Sequence, residues 1–211
     1  MSRAAQPEYI LFGGSFDPIH FGHLFIAEAA RALRKAERVI FLPTRAPRHR
    51  AALSENALDR AAMIRAAIAS NPYFALDLSD LAENASGYSI DLLPRLIEAY
   101  PEARLSLLIG EDSLTLSPWH RFDEVVGMVD RWLIAPRHEE GEGGLDRFLA
   151  TLKPAVRAKI ELLEQPRITI SASAIRENSA RAESIRYLVP ESVRLYILEH
   201  QLYRSLSSDA A

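Results

Sequence analysis

Apolar and polar positions along the chain fall into short Ile/Leu/Val-rich runs separated by longer stretches with helical spacing. The runs predict strands at Tyr9–Phe12, Arg38–Leu42, Phe74–Leu76, Leu105–Ile109 and Trp132–Ala135, with a shorter one at Arg167–Ile170. The stretches between them predict helices at Ile19–Leu33, Asn56–Ala69, Ile90–Ala99 and Phe122–Val126, then a last one at Glu191–Glu199. The strand runs show little alternation of apolar and polar residues, as expected for strands covered on both faces. Strand and helix in turn predict an α/β fold built on a doubly wound parallel sheet. In such a sheet ligands bind beyond the carboxyl ends of the strands, so the chemistry should lie in the residues that follow each strand.

The first strand runs into Gly13-Gly-Ser-Phe-Asp-Pro-Ile-His-Phe-Gly-His23. Gly13 and Gly14 allow a ligand to approach the backbone, and Ser15 and Phe16 line the turn that follows. Asp17 is expected to cap the next helix and Pro18 to occupy its first position, which sets His20 and His23 three residues apart on one face. Backbone N–H groups at such a helix start attract phosphate, and two imidazoles beside them would stabilise the charge of a phosphoryl transition state.

Composition narrows the reading. With 211 residues and 48% hydrophobic content, the chain can bury one substantial core and is expected to form one domain, 1–211, with its core at about 8–204 and a small helical C-terminal segment. The charged, glycine-rich stretch Glu139–Gly144 is expected to be a flexible surface loop, and the small polar tail Ser205–Ala211 to fray. Zero cysteines exclude disulfides, cysteine nucleophiles and thiolate metal sites. The N-terminus lacks a signal-peptide core and no apolar run reaches membrane-spanning length, so a soluble cytoplasmic protein is expected, with no membrane partner. A net charge of -3 argues against broad nucleic-acid binding.

Each later strand end adds a candidate. Arg48, His49 and Arg50 follow the second strand in a basic cluster suited to phosphate. After the third comes Glu83–Asp91, where Tyr88 and the helix-capping Ser89 offer N–H groups to a small carboxylate or amide. The fourth leads to Gly110, to Asp112 as a ribose contact, and to Trp119 as a stacking surface for a flat ring. Arg137 follows the fifth. Ser171, Ser173 and Arg176 then gather at a helix start suited to a phosphate chain.

The first motif resembles the G-x-F-D-P-x-H-x-G-H signature of the nucleotidyltransferase superfamily, relatives by fold of the class I aminoacyl-tRNA synthetases. Its seven fixed positions would arise by chance about once in 10⁹ starts. Together with Pro47–Arg50, Gly87–Ser89, Gly110–Asp112, Ile170–Arg176, Leu188–Glu191 and Leu202–Arg204, it makes the chain similar to the bacterial nicotinate (nicotinamide) mononucleotide adenylyltransferases from Leu11 to Arg204. The resemblance implies a Rossmann-like nucleotidyltransferase fold in which the mononucleotide 5′-phosphate attacks the α-phosphorus of ATP directly, with no covalent enzyme intermediate. It implies catalytic roles for His20, His23 and Arg176. ATP would be held by these three with Gly13, Gly14, Ser15, Phe16, Gly110, Asp112, Ser171 and Ser173. The pyridine mononucleotide would be held by Arg48, His49, Arg50, Tyr88, Ser89, Trp119, His120 and Arg137. Mg²⁺ would arrive bound to the ATP phosphates, with no protein metal site.

Three positions depart from the family pattern. One proline rather than two precedes the second-segment histidine, Gly87-Tyr88-Ser89 stands where Ser-Tyr-Thr is usual, and His120 holds the spacing of the stacking tryptophan with Trp119 one residue short. The alternatives are a superfamily member with another acceptor, such as phosphopantetheine, and a nucleotide-binding regulator without catalysis. Oligomeric state is left open, a homo-oligomer included.

Overall fold

The computed structural model describes residues 6–44, 55–82, 85–115, 119–136, 144–164, 166 and 168–204. Six strands, β1 (Glu8–Gly14), β2 (Arg38–Pro43), β3 (Phe74–Leu76), β4 (Arg104–Gly110), β5 (Trp132–Ala135) and β6 (Ile160–Leu162), form one sheet in the order β3-β2-β1-β4-β5-β6. Every neighbouring pair is parallel, with Leu11 opposite Ile40 and Leu107, and Trp132 opposite Leu107 and Ile160. The winding reverses between β1 and β4, which places the crevice of a doubly wound sheet beside the end of β1.

Helices cover both faces. α1 (Phe21–Arg34) and α2 (Ala57–Ile68) lie on one side with α8 (Ala172–Ala180) and α9 (Glu191–Glu199). Their Ala27, Met63, Ile64, Ile175 and Val193 pack on Ile10, Phe12, Phe41 and Leu133. The opposite face of the same strands, Tyr9, Leu11, Ile40, Leu107 and Ile134, meets α3 (Ser89–Ala99), α5 (Phe122–Met128), α6 (Leu145–Ala150) and α7 (Pro154–Arg157). Successive strand residues therefore enter opposite cores, so each run is apolar throughout. Burying one such side chain contributes about 1.5–3 kcal/mol. The short α4 (Glu111–Thr115) begins directly at the end of β4.

Two expectations about elements change. The sixth strand is Ile160–Leu162, which pairs with β5, and residues 168–170 of the expected Arg167–Ile170 run form no strand. Ile168 is instead partly exposed and leads to Ser171, which caps α8 by accepting the Ala174 N–H at 3.2 Å. α3 begins at Ser89 itself, so Tyr88 occupies the cap position and Ser89 is the first helical residue. The Glu139–Gly144 loop, apart from Gly144, and the 205–211 tail lie outside the described residues.

At the amino end of the sheet, away from the crevice, Glu8 is buried on β1. Its Oε1 accepts from Arg34 Nε at 2.9 Å and from the Ser106 hydroxyl at 2.6 Å, and its Oε2 from Arg34 Nη2 at 3.0 Å and Arg104 Nη2 at 3.4 Å. Arg34 continues to Glu161 at 2.9 Å and Arg104 to Asp130 at 2.7 Å. One carboxylate thus ties together α1, β1, β4 and β6.

Candidate active site

The helix after β1 starts differently from the expected Asp17 cap. His20 is the cap residue: its Nδ1 accepts the His23 N–H at 3.4 Å, while the His20 N–H donates to His23 Nδ1 at 3.3 Å. The two imidazoles form a reciprocal capping box and stack, with ring centroids 3.7 Å apart and planes 24° from parallel. A ring nitrogen that accepts an N–H carries no proton, so the remaining ring proton of each histidine sits on Nε2. Both side chains are thereby set as donors. Gly22 makes the stack possible, since a Cβ there would lie 3.0 Å from Cε1 and Nδ1 of His20.

The first helical N–H groups are largely committed. Phe21 N–H donates to the Leu188 carbonyl at 3.0 Å and His23 N–H to His20. The helix start therefore offers fewer N–H groups to an anion than the sequence suggested.

Asp17 has a different task from capping. Its buried carboxylate accepts the Tyr203 hydroxyl at 2.9 Å, and its main-chain carbonyl accepts Arg176 Nη1 at 2.8 Å. Arg176 Nη2 also donates to the Ser173 hydroxyl at 3.3 Å. The bond from Asp17 to Pro18 is cis. Phe16, fully buried with a positive φ of 47°, fits its ring against Phe12 and His23 at centroid distances of 5.3 and 5.0 Å. Gly14 is required for that fit because a Cβ would approach the Phe16 ring to 3.0 Å.

Beneath this loop lies a fully buried arginine that belongs to none of the sequence motifs. Arg60 on α2 donates through Nη1 to the Ser15 carbonyl at 2.5 Å. Burial pulls its guanidinium down from the usual arginine range, opposed by Asp17, Tyr203 and Asp80. Asp80 is buried in a 3-10 turn, Ser79–Leu81; burial raises its carboxyl to about 6, against a hydrogen bond with Thr44 and the attraction of Arg60. Thr44 N–H in turn donates to the Gly14 carbonyl at 2.9 Å, which joins the ends of β1 and β2. The clue in the sequence was Arg60 itself, three and four residues before the buried Met63 and Ile64 on the apolar stripe of α2.

The contacts thus bring together Gly14, Ser15, Phe16, His20, His23, Ser173 and Arg176. Gly13, the penultimate residue of β1, has nothing within 4 Å of a side chain built on it, and the same holds at Gly110, which ends the adjacent β4. Asp112 follows in α4, and Ser171 is occupied as the cap of α8. In the segments that follow β3 and β4, the half-exposed Tyr88 faces the exposed His120, with centroids 5.1 Å apart. Trp119 turns away from them. Its indole N–H donates to the Ser113 carbonyl at 2.7 Å, and its ring packs edge-on against Trp132 at 4.9 Å. Arg48, His49, Arg50 and Arg137 lie outside the described residues.

A cytidylyltransferase-like family model matches residues 11–178. A protein of Symbiobacterium thermophilum named "Probable nicotinate-nucleotide adenylyltransferase" is 36% identical over 92% of this chain and 93% of its own length. One of the same name from Trichormus variabilis is 40% identical over 92% and 95%. The chain belongs to the nicotinate-nucleotide adenylyltransferases. The Plasmodium falciparum nicotinic acid mononucleotide adenylyltransferase solved in complex with NaAD is 20% identical and superposes with a TM-score of 0.71, covering 93% of this chain and 97% of that one. At that identity the likeness is one of fold, and it matches the six-stranded parallel sheet of this adenylyltransferase. Among the described residues no helix is long and apolar enough to cross a membrane.

Proposed function

We propose that this chain transfers the adenylyl group of ATP to nicotinate mononucleotide, forming deamido-NAD and pyrophosphate. An oxygen of the mononucleotide 5′-phosphate bonds to the α-phosphorus of ATP while the bond from that phosphorus to the bridging oxygen of the β-phosphate breaks. The observation that carries the reading is the pair of stacked imidazoles, each with Nδ1 accepting a backbone N–H and its ring proton therefore on Nε2, next to an arginine anchored on the same loop. Such fixed donors stabilise charge on a pentavalent phosphorus without needing to reorganise, and the reaction requires no protein nucleophile.

In this reading His20 and His23 contact the phosphate chain, with His23 nearest the transferring phosphorus. Arg176 and the hydroxyls of Ser171 and Ser173 hold the leaving pyrophosphate. Gly13, Gly14, Ser15 and Phe16 line the path of the adenosine phosphate, and Gly110 and Asp112 support the ribose. Arg48, His49, Arg50 and Arg137 gather phosphate, and the backbone at Tyr88 and Ser89 reads the pyridine carboxylate. The substrate is taken as MgATP. Its Mg²⁺ is taken to be held by phosphate oxygens and water, as is common for this ion. Helices α8 and α9 share the core of the sheet, and we read the chain as one catalytic unit.

For the ring contact the geometry favours His120 over Trp119. Trp119 is engaged with Trp132 and Ser113, whereas Tyr88 and His120 offer an aromatic pair in the segments that follow β3 and β4. The test offers purified protein with MgATP each of nicotinate mononucleotide, nicotinamide mononucleotide and phosphopantetheine. Dinucleotide should form with the nicotinate compound, and His120→Ala should raise its KM more than Trp119→Ala does. Turnover with phosphopantetheine alone would assign a different acceptor, and absence of any turnover would support a binding protein.

A further inference from the structure

Residues 15–18, between β1 and the stacked histidines, are held at both ends by groups from distant parts of the chain. Arg60 binds the Ser15 carbonyl at 2.5 Å, Tyr203 binds the Asp17 carboxylate at 2.9 Å, and Arg176 binds the Asp17 carbonyl at 2.8 Å. Asp17 therefore links the Tyr203 hydroxyl to the Arg176 guanidinium, its side chain bonded to one and its main chain to the other. Two bonds orient Arg176 and occupy two of its five N–H donors, so the direction of its remaining donors depends on where the Asp17 carbonyl lies.

The chain accepts unfavourable backbone geometry to deliver Tyr203 there. Gln201 and Tyr203, neither of them glycine, have φ of 54° and 61°, a region that non-glycine residues occupy at a cost. The turn is held in place by Leu202 N–H on the Ile197 carbonyl at 3.0 Å, the Ser179 hydroxyl on the Leu202 carbonyl at 3.3 Å, and Tyr203 N–H on Glu55 Oε1 at 3.0 Å. The ring is buried, and the hydroxyl ends on Asp17. Strain that the surroundings enforce and that brings a polar tip against a reactive loop marks a functional constraint.

We propose that Tyr203 is a positioning residue for Arg176: by holding the Asp17 carboxylate it sets the Asp17 carbonyl, and through it aims the guanidinium at the departing pyrophosphate. Burial and the adjacent Asp17 carboxylate push the Tyr203 hydroxyl well above the usual tyrosine range, so it keeps its proton and remains a donor. The inference rests on the adenylyl-transfer reading for the identity of what Arg176 holds.

Tyr203→Phe removes the hydroxyl and keeps the ring with its packing. It is compared with wild type, Arg176→Ala and the double variant, measuring kcat and KM with MgATP and nicotinate mononucleotide, thermal midpoint, and the Kd of inorganic pyrophosphate by calorimetry. Misdirection of a catalytic group by an ångström costs up to about 100-fold. Tyr203→Phe should therefore lower kcat by about 10-fold or more and weaken pyrophosphate binding, with the mononucleotide KM within about twofold. In the Arg176→Ala background it should do nothing further to kcat, since the residue it acts through is gone. A role confined to anchoring the C-terminus would lower the thermal midpoint and leave kcat and pyrophosphate Kd unchanged; that result overturns the inference, as do effects that multiply in the double variant. If wild type itself forms no dinucleotide, the functional reading fails, and pyrophosphate Kd still decides the inference: equal values for wild type and Tyr203→Phe overturn it.

Discussion

Replacing His23 with alanine is expected to lower kcat by about 100- to 1,000-fold and to change the KM for ATP by no more than about threefold. His23 is fixed by its neighbours in the ground state: Nδ1 accepts the His20 N–H at 3.3 Å, and the ring is stacked on His20 and set edge-on against Phe16. A donor held in this way acts most where negative charge develops, on the phosphorus oxygens of the transition state, and removing one such donor costs a factor of that size. Folding should lose no more than about 1–3 kcal/mol: the capping bond from His20 Nδ1 to the residue 23 N–H remains, while the His20 N–H loses the His23 Nδ1 acceptor. Steady-state kinetics with a thermal melt alongside check the point. A large rise in KM with kcat unchanged would assign His23 to ground-state binding.

The largest effect on stability is expected at the opposite end of the sheet. Glu8→Ala should destabilise the fold by about 3–5 kcal/mol, because it removes the buried carboxylate at the centre of the cluster and leaves Arg34 and Arg104 with only their outer partners, Glu161 and Asp130. Arg34 and Arg104 would lose the carboxylate that bridges them, and the buried Ser106 hydroxyl its 2.6 Å acceptor. For a domain of this size the midpoint should fall by about 6–20 °C. The kcat of the folded fraction should stay near wild type, since Glu8 begins β1 and the crevice lies at its far end. Thermal or urea unfolding measures the loss; a change under about 1 kcal/mol would show that the cluster is no more than a set of surface ion pairs.

The sheet was largely legible because its strands are buried on both faces and so read as unbroken apolar runs. β3 and β5 match their expected bounds, and β1, β2 and β4 extend them by one or two residues. Its edge was less legible. Ile160–Leu162 is interrupted by Glu161 and so does not read as an apolar run, and only its pairing with β5 marks it as a strand. α4, α6 and α7 span four to six residues, too few for helical periodicity to show.

The Gly13–His23 segment was legible as a motif, but its internal arrangement was not. Aspartate is the commoner helix cap, and nothing local shows that His20 takes that place while Asp17 is drawn to a tyrosine 186 residues away. Arg60, 45 residues from Ser15, escapes notice for the same reason: its role exists only once α2 packs under the loop. Trp119 illustrates the converse. Its residue type suggested a stacking surface, but neighbouring Trp132 and Phe122 supply a core for it to join.

The proposed transfer is a single in-line displacement at the α-phosphorus, promoted by fixed donors and with no protein nucleophile. The stereochemical course of transfer from ATP made chiral at the α-phosphorus as the phosphorothioate, with nicotinate mononucleotide as acceptor, decides whether this is so. A dinucleotide with inverted configuration at that phosphorus is expected. Retention would require two displacements through an adenylylated side chain, and would rule the single displacement out.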